Sequence, residues 1–180
     1  MSAFSKSRQL LGFLGCFCLS YLTGVVGSIA SVQARTFYAE LTQPVWAPPG
    51  WLFGPVWSLL YLMMAISAWL VWRRSGIAEA RMALGLFVIQ LVVNALWSWL
   101  FFAWHLGAAA FVDILLLLGL IVLTMVHFWK HSRLATCLLI PYFCWVCFAA
   151  FLNFSVWQLN PDRWPRAAAI FRGNNRMFHF

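Results

Sequence analysis

The chain has 180 residues, of which 64% are hydrophobic and 9% charged, and its mean hydropathy is +0.84. Soluble domains carry about half apolar and about a quarter charged residues, so the composition excludes an ordinary soluble domain and describes an integral membrane protein. The net charge of +8 does not describe a nucleic-acid binder, because the cations stand in short clusters between apolar runs and leave no soluble face for a basic stripe. They read as membrane topology and lipid-headgroup contacts.

The first apolar stretch, residues 10–32, follows Lys6 and Arg8 and ends at Ser31-Val32-Gln33-Ala34. Those small residues suit a signal-peptide cleavage site. The run nevertheless exceeds the roughly 7–15 apolar residues of a signal peptide and meets the about 20 that cross a bilayer, so a retained helix is expected. Gly15, Gly24, Gly27, Ser28 and Ala30 suit close packing against other helices. Residues 33–49 form the longest connection. Its prolines Pro44, Pro48 and Pro49 remove backbone donors and hold the preceding residues extended. A stiff lid carrying Trp46 is therefore expected before Gly50 turns the chain into a helix.

The second helix is expected over 51–72, ended by Arg73, Arg74 and Gly76; Trp57, Tyr61 and Met64 fall on one aromatic face at i, i+4 and i+7. The third, over 83–102, repeats that spacing with Gln90, Asn94 and Trp97. Such residues glue neighbouring helices by hydrogen bonds or, three in register, wall a pocket. The fourth, over 108–129, holds Asp113, whose ionised form would cost roughly 2.5–3.5 kcal/mol at mid-bilayer. It needs a partner or a proton, and a structural role is expected. His127 lies near the opposite membrane surface, too far along the helix to pair with it catalytically. The fifth, over 134–157, contains Pro141, and Trp145, Ala149 and Asn153 or Leu152 share a face on which the alanine leaves room for something flat.

An all-α fold with five transmembrane helices follows, in one membrane domain over 1–160 with a polar, arginine-bearing tail over 161–180. Cys16, Cys18, Cys137, Cys144 and Cys147 all fall in apolar runs and read as small packing residues. Cys144-x-x-Cys147 lies mid-helix without a second pair or a nearby histidine, so a redox or zinc site is the weaker alternative, and no metal-ligand set is expected. Five spans place the termini on opposite sides. Lys6, Arg8, Arg73, Arg74, Arg81, Lys130 and Arg133 share the amino-terminal side, against Arg35, Arg163, Arg166, Arg172 and Arg176. The positive-inside rule then expects the amino terminus inside and the carboxyl terminus outside.

Taken together, Trp46-Ala-Pro-Pro-Gly-Trp51, Gly54-Pro-Val-Trp57 with Tyr61 and Met64, Gln90-x-x-x-Asn94-x-x-Trp97-x-x-x-Phe101-Phe102, Val112-Asp113, and Pro141-Tyr142-x-x-Trp145 through Leu152-Asn153 resemble the TspO/MBR family over roughly residues 10–160. The family comprises the tryptophan-rich sensory proteins of bacteria and the mitochondrial translocator protein. The resemblance implies a five-helix bundle, often a homodimer, with a pocket under the first loop for porphyrins, haem and, in animals, cholesterol and synthetic ligands. Carried over motif by motif, the pocket residues are Trp46, Trp57, Tyr61, Asn94, Trp97, Trp145, Ala149 and Leu152, and Asp113 matches the family's fourth-helix aspartate. Where the family usually has a proline after the Trp97 position and a glycine after Phe-Phe, this chain has Trp99 and Ala103, so a straighter third helix is expected. Phe154 and Gln158 stand where the animal cholesterol motif needs a tyrosine and a basic residue, which favours the bacterial branch.

The function expected is that of a regulatory or sensory protein of the bacterial cytoplasmic membrane that binds a tetrapyrrole, with protoporphyrin IX or haem as ligand and no obligatory cofactor. A macrocycle needs aromatic walls, which add about 0.5–1.5 kcal/mol per ring pair beyond burial, and donors for its propionates, which Asn94, Tyr61, loop amides or Arg35 supply. Two alternatives stand beside it. One is a light- and oxygen-dependent porphyrin-degrading enzyme, with Trp145 as the candidate oxidisable residue. The other is a porphyrin or lipid transporter, against which stands the lack of two repeated halves.

Overall fold

The computed structural model describes residues 5–32 and 34–164; from residue 165 on, the expected tail with Arg166, Arg172 and Arg176 lies outside the described residues. The described chain is helical: α1 is Lys6–Ala30, α2 Ala34–Glu40, α3 Phe53–Ser98, α4 Gly107–His131 and α5 Arg133–Leu159. A 3-10 turn, Gly50–Leu52, leads into α3 and a π-helical turn, Trp99–Ala103, leaves it.

Four of these helical stretches are long and apolar enough to cross a membrane: α1, Gly50–Ala103, α4 and α5. The second has 54 residues and would measure about 80 Å if straight, against a hydrocarbon core of about 30 Å. It is not straight. Gly76 has φ 70° and ψ −179°, a region open essentially to glycine alone. The Tyr61 hydroxyl donates to Asn94 Oδ1 at 2.8 Å, although a straight helix would hold these residues about 50 Å apart. α3 is therefore two limbs, 53–75 and 77–98, folded back on each other. The connection expected over 73–82 is instead helical on both sides of a single reversing residue, because one glycine supplies the whole change of direction.

The core lies where the limbs of α3 meet α4 and α5, around Met64, Val71, Phe87, Leu117, Ile121 and Leu139. α1 joins through its small residues: Ser20, Thr23 and Gly27 are buried, whereas Leu10, Leu11, Leu22 and Ile29 face outward. A Cβ on Gly24 would stand 2.7 Å from the Tyr61 ring, so this glycine is what lets α1 lie against the first limb.

Three sequence expectations change. The third helix does not end straight: Trp104 N–H donates to the Trp99 carbonyl at 2.8 Å and Leu106 N–H to that of Leu100 at 2.8 Å. The widened turn accommodates four bulky rings in six positions, turning Phe101 and Phe102 edge to face at 5.0 Å. Loop one holds a short helix, α2, that periodicity did not reveal. Cys18, Cys137 and Cys144 face outward, and only Cys16 and Cys147 are half-buried, so a packing role is confined to those two. Pro141 lies on the outer surface of α5, where its missing donor is tolerated as in other membrane helices.

Loop one is tied to the end of α5. Asn160 accepts from Thr42 N–H at 2.8 Å and donates to the Thr42 carbonyl at 2.9 Å. Arg163 meets Glu40 at 3.4 Å, and both side chains are half-exposed.

Candidate functional site

The end of the bundle beneath loop one gathers most of the residues singled out above. Trp57 and Tyr61, one turn apart on the first limb of α3, stack with ring centroids 5.5 Å apart. Tyr61 donates to Asn94 on the second limb at 2.8 Å, and the Asn94 amide donates to the Tyr142 hydroxyl of α5 at 3.2 Å. All three are buried, so one amide joins both limbs to α5. Accepting at Tyr142 leaves that hydroxyl's own hydrogen without a protein acceptor among the described residues. Trp57 also lies edge-on to Tyr142 at 6.2 Å.

A second polar link runs beside the first. The Trp97 indole N–H donates to Asn153 Oδ1 at 3.1 Å, and the Asn153 amide donates to the Gly107 carbonyl at 3.3 Å. Trp97 stacks on Phe101 at 5.3 Å. Of the two candidates on α5, Asn153 thus provides the polar contact, while Leu152 packs in the apolar cluster of Phe101 and Val156.

Trp145 is placed differently. Its ring is edge-on to Phe53 at 5.8 Å and tilted against Phe148 at 5.4 Å, and its indole N–H is buried with no partner. Trp46 of the lid stacks on Phe151 at 5.1 Å and lies edge-on to Phe148 at 5.9 Å, so Phe148 bridges the lid to Trp145. Ala149 is buried in the main core, one turn from Trp145.

Among the described residues neither Gln90 nor Asp113 hydrogen-bonds to this arrangement. Gln90 is fully buried, yet neither amide atom has a partner; the hydrogen bonds expected of it to neighbouring helices are absent among the described residues, and Asn94 makes them instead. Asp113 is buried, with Oδ2 unpartnered. The Arg35 side chain, a candidate propionate donor, lies outside the described residues. Tyr142, Phe53 and Phe148 were not singled out as pocket residues. The only hint for Tyr142 was its place beside Pro141 in a family motif, and nothing in periodicity separates two phenylalanines from the other fifteen.

Two concavities of about 290 Å3 each lie elsewhere. One is an apolar groove on the outer α4–α5 face, and the other is lined by Tyr38, Ala39 and Gln43 of loop one and by Gly50 and Trp51 of the 3-10 turn. In the latter the Gln43 amide donates to the Tyr38 carbonyl, and burial pushes the unpartnered Tyr38 phenol above its ordinary pKa. Neither contains Trp57, Tyr61, Asn94, Trp97, Trp145 or Ala149, which pack against one another and their neighbours.

Comparison with known proteins agrees with this arrangement of motifs. The sequence model of the TspO/MBR family matches residues 16–158. The chain is 41% identical over 160 residues to the tryptophan-rich protein TspO of Chlorobaculum tepidum, covering 86% of this chain and 99% of that one. It is 40% identical over 157 residues to protein CrtK of Rhodobacter capsulatus, covering 85% and 92%. It is 41% identical over 154 residues to the translocator protein of Ovis aries, covering 84% and 85%.

Proposed function

The chain belongs to the TspO/MBR family, and from that premise we propose that it is a membrane-embedded tetrapyrrole-binding protein with a regulatory or sensory role. The observation that carries this reading is the buried, unpartnered indole N–H of Trp145, set among Phe53, Phe148 and the lid residue Trp46. A buried donor without an acceptor is a standing free-energy cost of about 1–3 kcal/mol. A ligand that brings an acceptor relieves it. The Tyr142 hydroxyl hydrogen is a second such donor, and the rings of Trp57, Trp97 and Trp145 supply stacking surface for a flat macrocycle. Protoporphyrin IX or haem fits this combination of flat apolar body and peripheral carboxylates. Because each ring already packs against its own neighbours, entry of a macrocycle requires the lid to lift from Phe148 and Phe151.

In the membrane the chain crosses five times, as α1, the two limbs of α3, α4 and α5, with the amino terminus inside. The reversal at Gly76 supports two crossings within α3, and the basic residues of the α3 and α4–α5 turns support the orientation.

Protoporphyrin titration of the purified protein tests the reading. Tryptophan fluorescence should quench saturably, and Ala149→Phe should reduce affinity at least tenfold by steric overlap. Trp145→Phe retains a stacking ring, so a binding protein should keep affinity within a few-fold. Unsaturable quenching, or Ala149→Phe binding as tightly as wild type, would overturn the site. If wild type consumes porphyrin under illumination and Trp145→Phe binds but does not, the degrading-enzyme alternative takes its place.

A further inference from the structure

The groove on the outer α4–α5 face is separate from the aromatic group. It is lined by Val122, Met125, Val126 and Trp129 of α4 and by Thr136 and Phe143 of α5. On each helix the lining spans eight residues, a rise of about 10 Å at 1.5 Å per residue, so the groove runs from the α4–α5 turn into the apolar depth of the bilayer. Its single hydroxyl is already engaged: Thr136 Oγ1 donates to the Met125 carbonyl at 3.2 Å. The walls are therefore apolar, and the shape suits an extended hydrocarbon chain.

The mouth of the groove is cationic. Lys130 and Arg133 are exposed at the turn, and the Arg133 guanidinium lies over the Trp129 ring at 5.4 Å from its centroid. Arg74 donates to the His131 carbonyl at 3.3 Å, which brings a third cation to the same turn. The chain has four carboxylate side chains, Glu40, Glu79, Asp113 and Asp162. Glu40 is taken by Arg163 at the other end of the bundle, Asp113 is buried in α4, and no salt bridge joins a described carboxylate to Lys130 or Arg133. A tryptophan near a helix end marks the headgroup level of a bilayer. Exposed Glu79 lies just beyond the Gly76 reversal but is in salt-bridge contact with neither cation, so the apolar slot opens on net positive charge at the depth where a phospholipid phosphate lies.

We propose that this groove binds an anionic phospholipid, with one acyl chain along the slot between Val122 and Phe143 and the phosphate held by Lys130 and Arg133. A zwitterionic lipid can fill the slot, but its own ammonium opposes the cations at the mouth. A soluble phosphate can meet the cations but gains nothing from the slot. Net negative charge and a hydrocarbon chain are both required, and basic pockets between helices on the cytoplasmic side recognise lipids on this principle.

Native mass spectrometry of the full chain in detergent, titrated with phosphatidylglycerol or phosphatidylcholine of identical acyl chains, tests the assignment. Phosphatidylglycerol should be retained more strongly. Lys130→Gln and Arg133→Gln, both at exposed positions, should each weaken it about fivefold while leaving phosphatidylcholine unchanged. Val126→Phe, at a position 53% exposed, should fill the slot and reduce the adduct without disturbing the core. Equal retention of the two lipids, or retention of phosphatidylglycerol unchanged by the double charge variant or by Val126→Phe, would overturn the site. So would displacement of the lipid by glycerol 3-phosphate, which has no chain.

Discussion

Asn94 is the residue on which the buried polar chemistry turns. Its single amide accepts from Tyr61 and donates to Tyr142, so one side chain ties together three helical segments. In a membrane such bonds contribute about 0.6 kcal/mol on average and up to about 1.7 kcal/mol, because the unfolded chain also finds partners. Tyr61→Phe deletes one bond and leaves the Asn94 oxygen without its donor, so a loss of about 1 kcal/mol is expected, seen as a lower melting temperature in detergent. Asn94→Leu should lower stability further, since it strands two phenols at once. If Tyr61→Phe melts with wild type, the bond between the limbs is not a source of stability.

The two limbs of α3 meet through one backbone conformation. Gly76 sits in a region of φ and ψ from which a Cβ is essentially excluded, whereas the flanking Ser75 and Ile77 continue regular helix. Ser75 is further anchored by its hydroxyl to the His131 ring at 2.8 Å, so the reversal docks on the α4–α5 turn. Gly76→Ala should cost about 1–3 kcal/mol and pull the limbs out of register, breaking the Tyr61–Asn94 contact some fifteen residues away. A melting temperature equal to wild type would mean that the turn has another route through φ and ψ. At the opposite end, the π-helical turn sets the direction of Phe101 and Phe102, and the His105 backbone at φ 52° starts the chain into α4.

The molecule as a whole is built for a solvent of hydrocarbon. Large apolar side chains such as Leu22, Ile89, Leu116 and Phe151 are exposed, while the α1 interface is made by the small residues Ser20, Thr23 and Gly27, the pattern expected where lipid supplies no hydrophobic drive between helices. On the proposed five crossings, with two limbs of α3 on either side of Gly76, the termini lie on opposite sides of the membrane with the amino terminus inside. Alkaline phosphatase fused after Arg172 should therefore be active in the periplasm of a bacterial host, whereas a fluorescent protein fused there should remain dark when exported unfolded. A bright fluorescent fusion and an inactive phosphatase would invert the orientation.

Membrane residence, the helical class and the spacing of Trp57, Tyr61, Asn94, Trp97 and Trp145 were all legible in the chain, because they depend on composition and on a period of 3.6 residues, which are local properties. Even the role of Gly24 as a packing position could be read from its size. What periodicity could not supply was the partner of each polar group. Gln90 and Asn94 look alike on one helix face, yet only Asn94 finds hydrogen bonds, because its partners arrive from residues 33 and 48 positions away in sequence. The same holds for the choice of Asn153 over Leu152, for the π-helical turn where a straight helix was expected, and for the groove between α4 and α5, whose walls come from two helices. These features depend on how surfaces meet after the chain has folded back at Gly76, and a one-dimensional pattern carries the faces of helices but not the pairing between them.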